Sequence, residues 1–265
     1  MKMNKMKLHS RVRNIAAISL ISLLAIGCSR SQRQHLAIAY VIDMTASVDN
    51  EAIMQAFAAI QPLLNNKTLK RGDSITIIPI TGDTLTETQG KIIRIHLPEN
   101  REVYDSDLAK LAADVQERLQ KMQSEATANP YQHSDILGAA DLAAEELSTE
   151  KGNVRKVIVI LSDFIQDDAQ FNFNTSPELA NQHLALALAK KITASKSSRD
   201  HGKEYSETTL YLGMLRSKDL KKMHPSRREA VEVFWRGYFK AEGAESISLA
   251  IDGPGKIESS ITRLN

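Results

Sequence analysis

The sequence holds a single cysteine, Cys28, among 265 residues. No intrachain disulfide can form, so the fold must be held by its own core. Net charge is scarce too. Lys and Arg number 34 against 32 Asp and Glu, a formal +2, which removes the general electrostatic case for nucleic-acid binding. The excess sits at one end: residues 1 to 27 carry Lys2, Lys5, Lys7, Arg11 and Arg13 and no acid, leaving 29 bases against 32 acids in the rest. Phosphate-cradling glycine loops are missing. No Gly-x-Gly-x-x-Gly or Gly-x-x-x-x-Gly-Lys-Ser/Thr follows a strand, and there is no Gly-x-Ser-x-Gly elbow, so dinucleotide, P-loop and serine-hydrolase chemistry lack their scaffolds. The 7 histidines are scattered without metal-ligand spacing. What is present is a composition of 42% hydrophobic and 25% charged residues, which excludes a disordered or fibrous chain. About 230 residues outside the N-terminus can bury roughly 70 to 75% of their unfolded surface, enough for a self-supporting core.

The apolar stretch Ile15 to Ile26, interrupted only by Ser19 and Ser22, falls short of the roughly 20 residues of a spanning helix. Its length and basic flank are those of a signal-peptide apolar region. Leu24-Ala25-Ile26-Gly27-Cys28 resembles the lipobox of bacterial lipoproteins, with Ala25 where leucine is usual. The resemblance implies cleavage before Cys28 and acylation of that residue, an anchor of several chains where one alone is marginal. Ser29 after the cysteine resembles the outer-membrane sorting pattern, giving a lipid-anchored envelope protein facing the periplasm or the surface. The other reading is an ordinary secretory signal with a chance cysteine. The expected organisation is a signal peptide over 1–27, a tether over 28–34 and one domain over 35–265.

From His35 onward, apolar runs of strand length alternate with segments of helical period, the pattern of an α/β domain with a mostly parallel sheet. Leu36 to Ile42 and Val157 to Leu161 are continuously apolar, as central strands covered on both faces should be. Ile75 to Ile80 and Thr209 to Leu215 read as further strands. Ile93, Ile95 and Leu97 alternate with polar residues as on an edge, as do Ile247, Leu249 and Ile251. Pro79 belongs at the end of its strand. The link Gly82 to Gly90 is too short for a crossover, so the second and third strands should pair antiparallel. Apolar spacing predicts helices along Ile53, Phe57, Ile60 and Leu64; Leu108 to Met122; Ile136 to Leu147; Leu184, Leu188 and Ile192 after a Ser176 cap; and Val231 to Tyr238 after Pro225. The last of these, with Phe234, Trp235 and Phe239, reads as core. The expected fold is a doubly wound, Rossmann-like, six-stranded sheet with one antiparallel edge strand and helices on both faces.

Asp43-Met44-Thr45-Ala46-Ser47 ends the first central strand and Ser162-Asp163 ends the later one. In open α/β sheets ligands bind beyond the carboxyl ends of the strands, where the strand order reverses. Alternation brings positions 43, 45 and 47 to one side. Two carboxylates and a few hydroxyls suit a hard divalent cation, which takes oxygen ligands and, for Mg²⁺, keeps several waters. The same residues also admit plain capping roles: Asp43 and Asp163 for turns, Thr45 and Ser47 for the helix at Ile53, Ser134 for the helix at Ile136.

This arrangement resembles a von Willebrand factor A domain over most of the chain from His35 to about Ile251. The resemblance rests on Asp43, Thr45 and Ser47 as an Asp-x-Ser/Thr-x-Ser motif, on Ser134 in the place of that family's separate threonine, and on Asp163 after Val157 to Leu161. It implies a metal-ion-dependent adhesion site in which these five residues hold Mg²⁺ or Mn²⁺, directly or through water, and an acidic residue of a protein partner fills the open coordination position. Phe164 stands where the family often has glycine, so the loop is expected to take a different path and bring an aromatic group to the metal face. Asp135 is open as a ligand in place of Ser134 or as a helix-terminus acid. Asp167 and Asp168 are expected to be solvated. Two other readings stay open: a Mg-dependent hydrolase using Asp43, although Thr45 occupies the place of a phosphoaspartyl enzyme's second aspartate, and a metal-free scaffold of the same fold.

Overall fold

The computed structural model describes residues 33–65, 69–197 and 204–250. Cys28, with the whole signal-peptide and lipobox reading, lies outside the described residues, as does Ile251. By internal packing the chain divides into Met1–Gln34 and His35–Asn265, and the second unit carries the sheet. Among the described residues no helix is long and apolar enough to cross a membrane.

Six strands form one sheet: β1 (His35–Asp43), β2 (Ser74–Ile80), β3 (Ile93–His96), β4 (Val154–Ser162), β5 (Thr208–Met214) and β6 (Ser246–Ala250), in the order β3-β2-β1-β4-β5-β6. All neighbours are parallel except β2 with β3, which runs antiparallel from Ser74 opposite His96 to Ile77 opposite Ile93. The doubly wound sheet with an antiparallel edge is therefore the one read from the sequence. β3 alternates buried and exposed residues as an edge should, and Pro79 is the penultimate residue of its strand.

β1 shows how both faces are covered. Leu36, Ile38, Tyr40 and Ile42 point to one face, packing with α1 (Asn50–Ala58), α2 (Gln61–Asn65) and α4 (Asp105–Ala128). Ala37, Ala39 and Val41 point to the other, against α5 (Ile136–Ser148), α6 (Gln182–Ser197) and α8 (Pro225–Ala241). The alanines matter for the site. Ala37 and Ala39 face Ala139, Ala140 and Ala143 of α5, all buried within one cluster, and small side chains let a helix lie close to a sheet. α6 and α8 also approach closely: a Cβ at Gly237 would lie 2.7 Å from Leu186. Two short helices, α3 (Thr84–Glu87) and α7 (Lys218–Lys222), complete the unit.

Two expectations are corrected. The stripe Ile53 to Leu64 is served by two helices, because Pro62 supplies no N–H to a continuous helix but suits the first turn of a new one. Ser176 opens only a 3₁₀ turn, Pro177–Leu179, and its hydroxyl donates to Glu178 at 2.6 Å; the helix itself starts at Gln182. Leu184 is consequently 40% exposed, while Ala185, Leu188, Ala189 and Ile192 form the buried stripe. The segment after β4 also contributes to the core: Phe164, Ile165 and Phe173 are buried.

Candidate functional site

The sheet's order reverses between β1 and β4; at that rim β1 ends in Asp43, and Asp163 directly follows Ser162, the last residue of β4. Each makes the same local turn. Asp43 Oδ1 accepts from the Thr45 N–H at 3.0 Å and from the Thr45 hydroxyl at 2.7 Å. Asp163 Oδ1 accepts from the Ile165 N–H at 3.0 Å. An aspartate bonding the backbone two residues on curls the chain sharply, and here it directs the following hydroxyls back across the rim. The turn after β1 is then fixed from both sides, by Ala46 N–H to the Tyr131 carbonyl at 2.9 Å and by Lys218 N–H to the Ser47 carbonyl at 3.1 Å.

The five residues singled out by the sequence meet here. Ser134 Oγ donates to Thr45 Oγ1 at 2.9 Å, Thr45 Oγ1 lies 3.2 Å from Ser47 Oγ, and Ser47 Oγ donates to Asp163 Oδ2 at 3.1 Å. Asp43, Thr45, Ser47, Ser134 and Asp163 thus form one connected chain of oxygen atoms. Ser47 is partly open to solvent, whereas the other four are buried.

Two further hydroxyls belong to the cluster and were not recognised in the sequence. Ser162 Oγ donates to Asp43 Oδ2 at 2.6 Å and accepts from the Phe164 N–H at 2.9 Å. Ser217, fully buried, bonds Asp163 and accepts from the Leu220 N–H at 3.0 Å. Ser162 had a signal, since it directly precedes Asp163. Ser217 had none, because it lies 54 residues further along and only the pairing of β5 beside β4 brings it near.

Both aspartates are fully buried and, among the described residues, neither forms a salt bridge. Burial raises the Asp43 carboxyl above the usual carboxylate range against its hydrogen bonds. Burial, together with the neighbouring Asp43 charge, pushes Asp163 up to about 7. Two desolvated acids side by side form a site that wants a positive charge or a proton. Among the described residues no cluster of three or more His, Cys, Asp or Glu could hold a metal; the donor set here is two carboxylates with hydroxyls, which is the hard-oxygen chemistry of Mg²⁺ or Mn²⁺. Each hydroxyl can rotate its proton away and offer a lone pair to a cation.

Asp135 takes the helix-terminus role. Its carboxylate accepts from Gly138 N–H at 2.9 Å and from Thr84 N–H at 3.2 Å, and Gln166 Oε1 accepts from the Ile136 and Leu137 N–H groups at 2.8 and 3.0 Å. The first turn of α5 is therefore capped by Asp135 and Gln166, and Ser134 is left to face Thr45. Thr45 and Ser47 do not cap α1 either, whose N-cap is Asp49. The expectation of an aromatic group at the metal face is overturned. Phe164 adopts φ of 60°, the left-handed conformation glycine would favour there, and its ring turns into the core against Trp235 with centroids 5.9 Å apart. Asp167 and Asp168 are half-buried and organise the loop, Asp167 accepting from Asn172 at 2.8 Å and Asp168 from Gln166 at 2.6 Å.

Comparison with solved structures covers 86% of this chain and 97% of an aerotolerance-related membrane protein from Bacteroides fragilis, at 15% identity and a TM-score of 0.45. A von Willebrand factor type A protein from Catenulispora acidiphila is covered over 42% of its length by 87% of this chain, at 14% identity and a TM-score of 0.43. The chain is similar to von Willebrand factor A domains. A manganese-loaded TRAP protein from Plasmodium vivax matches over 77% of this chain and 74% of its own, at 12% identity and a TM-score of 0.36. No protein-family model and no curated protein matches the sequence.

Proposed function

We propose that this chain is a membrane-tethered binding module that holds one divalent cation, Mg²⁺ or Mn²⁺, at the rim formed by β1 and β4, and presents it to an acidic side chain of a protein partner. The observation that carries this reading is the pair of fully buried carboxylates, Asp43 and Asp163, without a basic partner among the described residues. Asp43, Thr45, Ser47, Ser134 and Asp163 would hold the ion, with Ser162 orienting Asp43 and Ser217 orienting Asp163. The bound ion supplies the charge that offsets both carboxylates and an open coordination position. Binding rather than hydrolysis fits Asp43, because Thr45 occupies the place of the second aspartate that a phosphoaspartyl enzyme carries.

The test is metal titration by calorimetry. Asp43→Ala and Asp163→Ala are each expected to abolish Mg²⁺ and Mn²⁺ binding while circular dichroism stays that of the folded chain. Unchanged metal affinity in both would defeat the reading and leave the metal-free scaffold.

The tether is the second part of the proposal. Acylation at Cys28 would hold the module on the envelope, with Ser29 favouring the outer membrane. Cys28→Ser should yield protein that no longer incorporates labelled fatty acid and leaves the membrane fraction; normal labelling in that variant sinks the anchor.

A further inference from the structure

A cavity of about 380 Å³ opens beside Thr45, between the turn after β1, the start of α1, the end of α4 and the start of α7. That is the lower end of the volume range of ligand pockets, roughly 300 to 1,000 Å³, so it is far larger than a packing defect. Its floor is apolar. Met44, Val48, Ile53 and Ala126 line it and belong to the core on that face of the sheet. Its rim is polar and contains Lys218 together with Asp49, on which the Lys218 charge also acts. The neighbouring ions are matched, Lys221 to Asp49 at 2.8 Å and Arg216 to Glu51 at 3.0 Å, but Lys218 has no ion pair among the described residues. Thr45 lines the cavity and also stands in the oxygen cluster. An apolar hollow with a lysine on its rim thus adjoins the carboxylate-cation rim.

We propose that this cavity is the second half of the partner-binding surface. It takes a bulky aliphatic side chain lying within a few residues of the acidic side chain that reaches the cation, because Thr45 belongs both to the cavity lining and to the oxygen cluster. The inference rests on the proposed cation at the β1 and β4 rim. Lys218 makes the occupant's chemistry specific: it adds to the positive field of the ion and favours an acidic segment over a neutral apolar one. The acid alone would be read by any exposed cation. The cavity supplies the discrimination, because burying one leucine side chain distinguishes it from alanine by about ten-fold or more in affinity.

The test uses the full-length chain with saturating Mg²⁺ and two synthetic peptides of glycine and serine, each carrying one aspartate, with leucine or alanine two residues after it. Thr127 is exposed on α4 at the cavity edge, so Thr127→Trp covers the hollow without entering the oxygen cluster. The leucine peptide should bind about ten-fold more tightly than the alanine peptide, the advantage should vanish in Thr127→Trp, and Lys218→Glu should weaken both peptides. Mg²⁺-dependent binding of both peptides with equal affinity overturns the cavity's role and leaves the cation reading standing. So does binding of Mg²⁺ with no affinity for the leucine peptide. Failure of the chain to bind Mg²⁺ at all overturns the cation reading and this inference together.

Discussion

Replacing Asp163 by asparagine should stabilise the metal-free protein and, in the same variant, remove its response to Mg²⁺. The two effects have one cause. In the wild-type chain two buried carboxylates lie side by side, and burial with the Asp43 charge holds Asp163 at about 7. In the unfolded chain it titrates at its ordinary value of 3.8. Between those values the folded state keeps a proton that the unfolded state has released, so the contribution of this group to stability is complete below about pH 4 and is lost as pH rises through about 7. Above pH 7 in EDTA the ionised group therefore costs roughly 2–4 kcal/mol. Asparagine fills the same space, accepts from the Ile165 N–H through its carbonyl, and carries no charge. The variant's thermal midpoint at pH 8 in EDTA should rise by roughly 5 °C or more for a domain of this size. Burial shifts Asp135, Glu204 and Glu242 in the same direction, and paired or hydrogen-bonded Asp49, Asp107 and Glu178 shift oppositely. The informative quantity is thus the difference between wild type and variant across pH 4 to 8, which should shrink to nothing at the acid end.

Mg²⁺ should close that gap. A ligand at about 100 times its Kd adds roughly 2.7 kcal/mol to the state that binds it. Wild type should gain that amount and lose it again as acid protonates the carboxylates, since metal ligands must be ionised. Asp163→Asn should gain nothing at any pH. A variant less stable than wild type in EDTA at pH 8, or one whose midpoint still climbs with Mg²⁺, contradicts the assignment of these carboxylates to a cation.

Much of this architecture is legible in the sequence because burial on two faces leaves a plain signature. Leu36 to Ile42 carries no charged residue, so it had to be central, and a link as short as Gly82 to Gly90 forces its flanking strands to run antiparallel. Placing both Asp43 and Asp163 at the carboxyl ends of central strands needed nothing further. What stayed hidden depends on contacts between distant segments. Ser134 and Asp135 are adjacent and chemically similar as caps, and only the backbone of α5 decides that Asp135 meets Gly138 while Ser134 turns to Thr45. Gln166 caps that same helix from 30 residues away. Thr84–Glu87 and Lys218–Lys222 are too short for helical period to register. Phe164 misled for another reason. A non-glycine residue is ordinarily unwelcome at positive φ, and nothing local announces that its ring and carbonyl are both claimed by Trp235.

That claim gives the second large effect. Trp235, the only tryptophan, is almost fully buried on α8, and its indole N–H donates to the Phe164 carbonyl at 2.9 Å. Its ring meets Phe164, Phe173, Phe234, Tyr238 and Phe239 at centroid distances of 5.2 to 6.2 Å. Trp235→Ala should cost about 3–5 kcal/mol by emptying that space. Trp235→Phe separates packing from pinning: it retains most of the apolar ring but leaves the buried carbonyl without its donor, at about 1–3 kcal/mol. The carbonyl belongs to the residue immediately after Asp163, in a strained backbone state worth on the order of 1–3 kcal/mol that the surroundings must enforce. Releasing it should let the turn relax, so Trp235→Phe should also weaken Mg²⁺ binding although Trp235 touches none of the cluster oxygens. Phe164→Gly would relieve the same strain but forfeits a buried aromatic ring worth more, so it should destabilise as well. Thermal unfolding of each variant and Mg²⁺ titration of Trp235→Phe give the readouts. A Trp235→Phe protein with wild-type stability and wild-type Mg²⁺ affinity would show that the indole hydrogen bond does not hold the turn, and that Asp163 is positioned by its own bonds to Ser47, Ser217 and Ile165 alone.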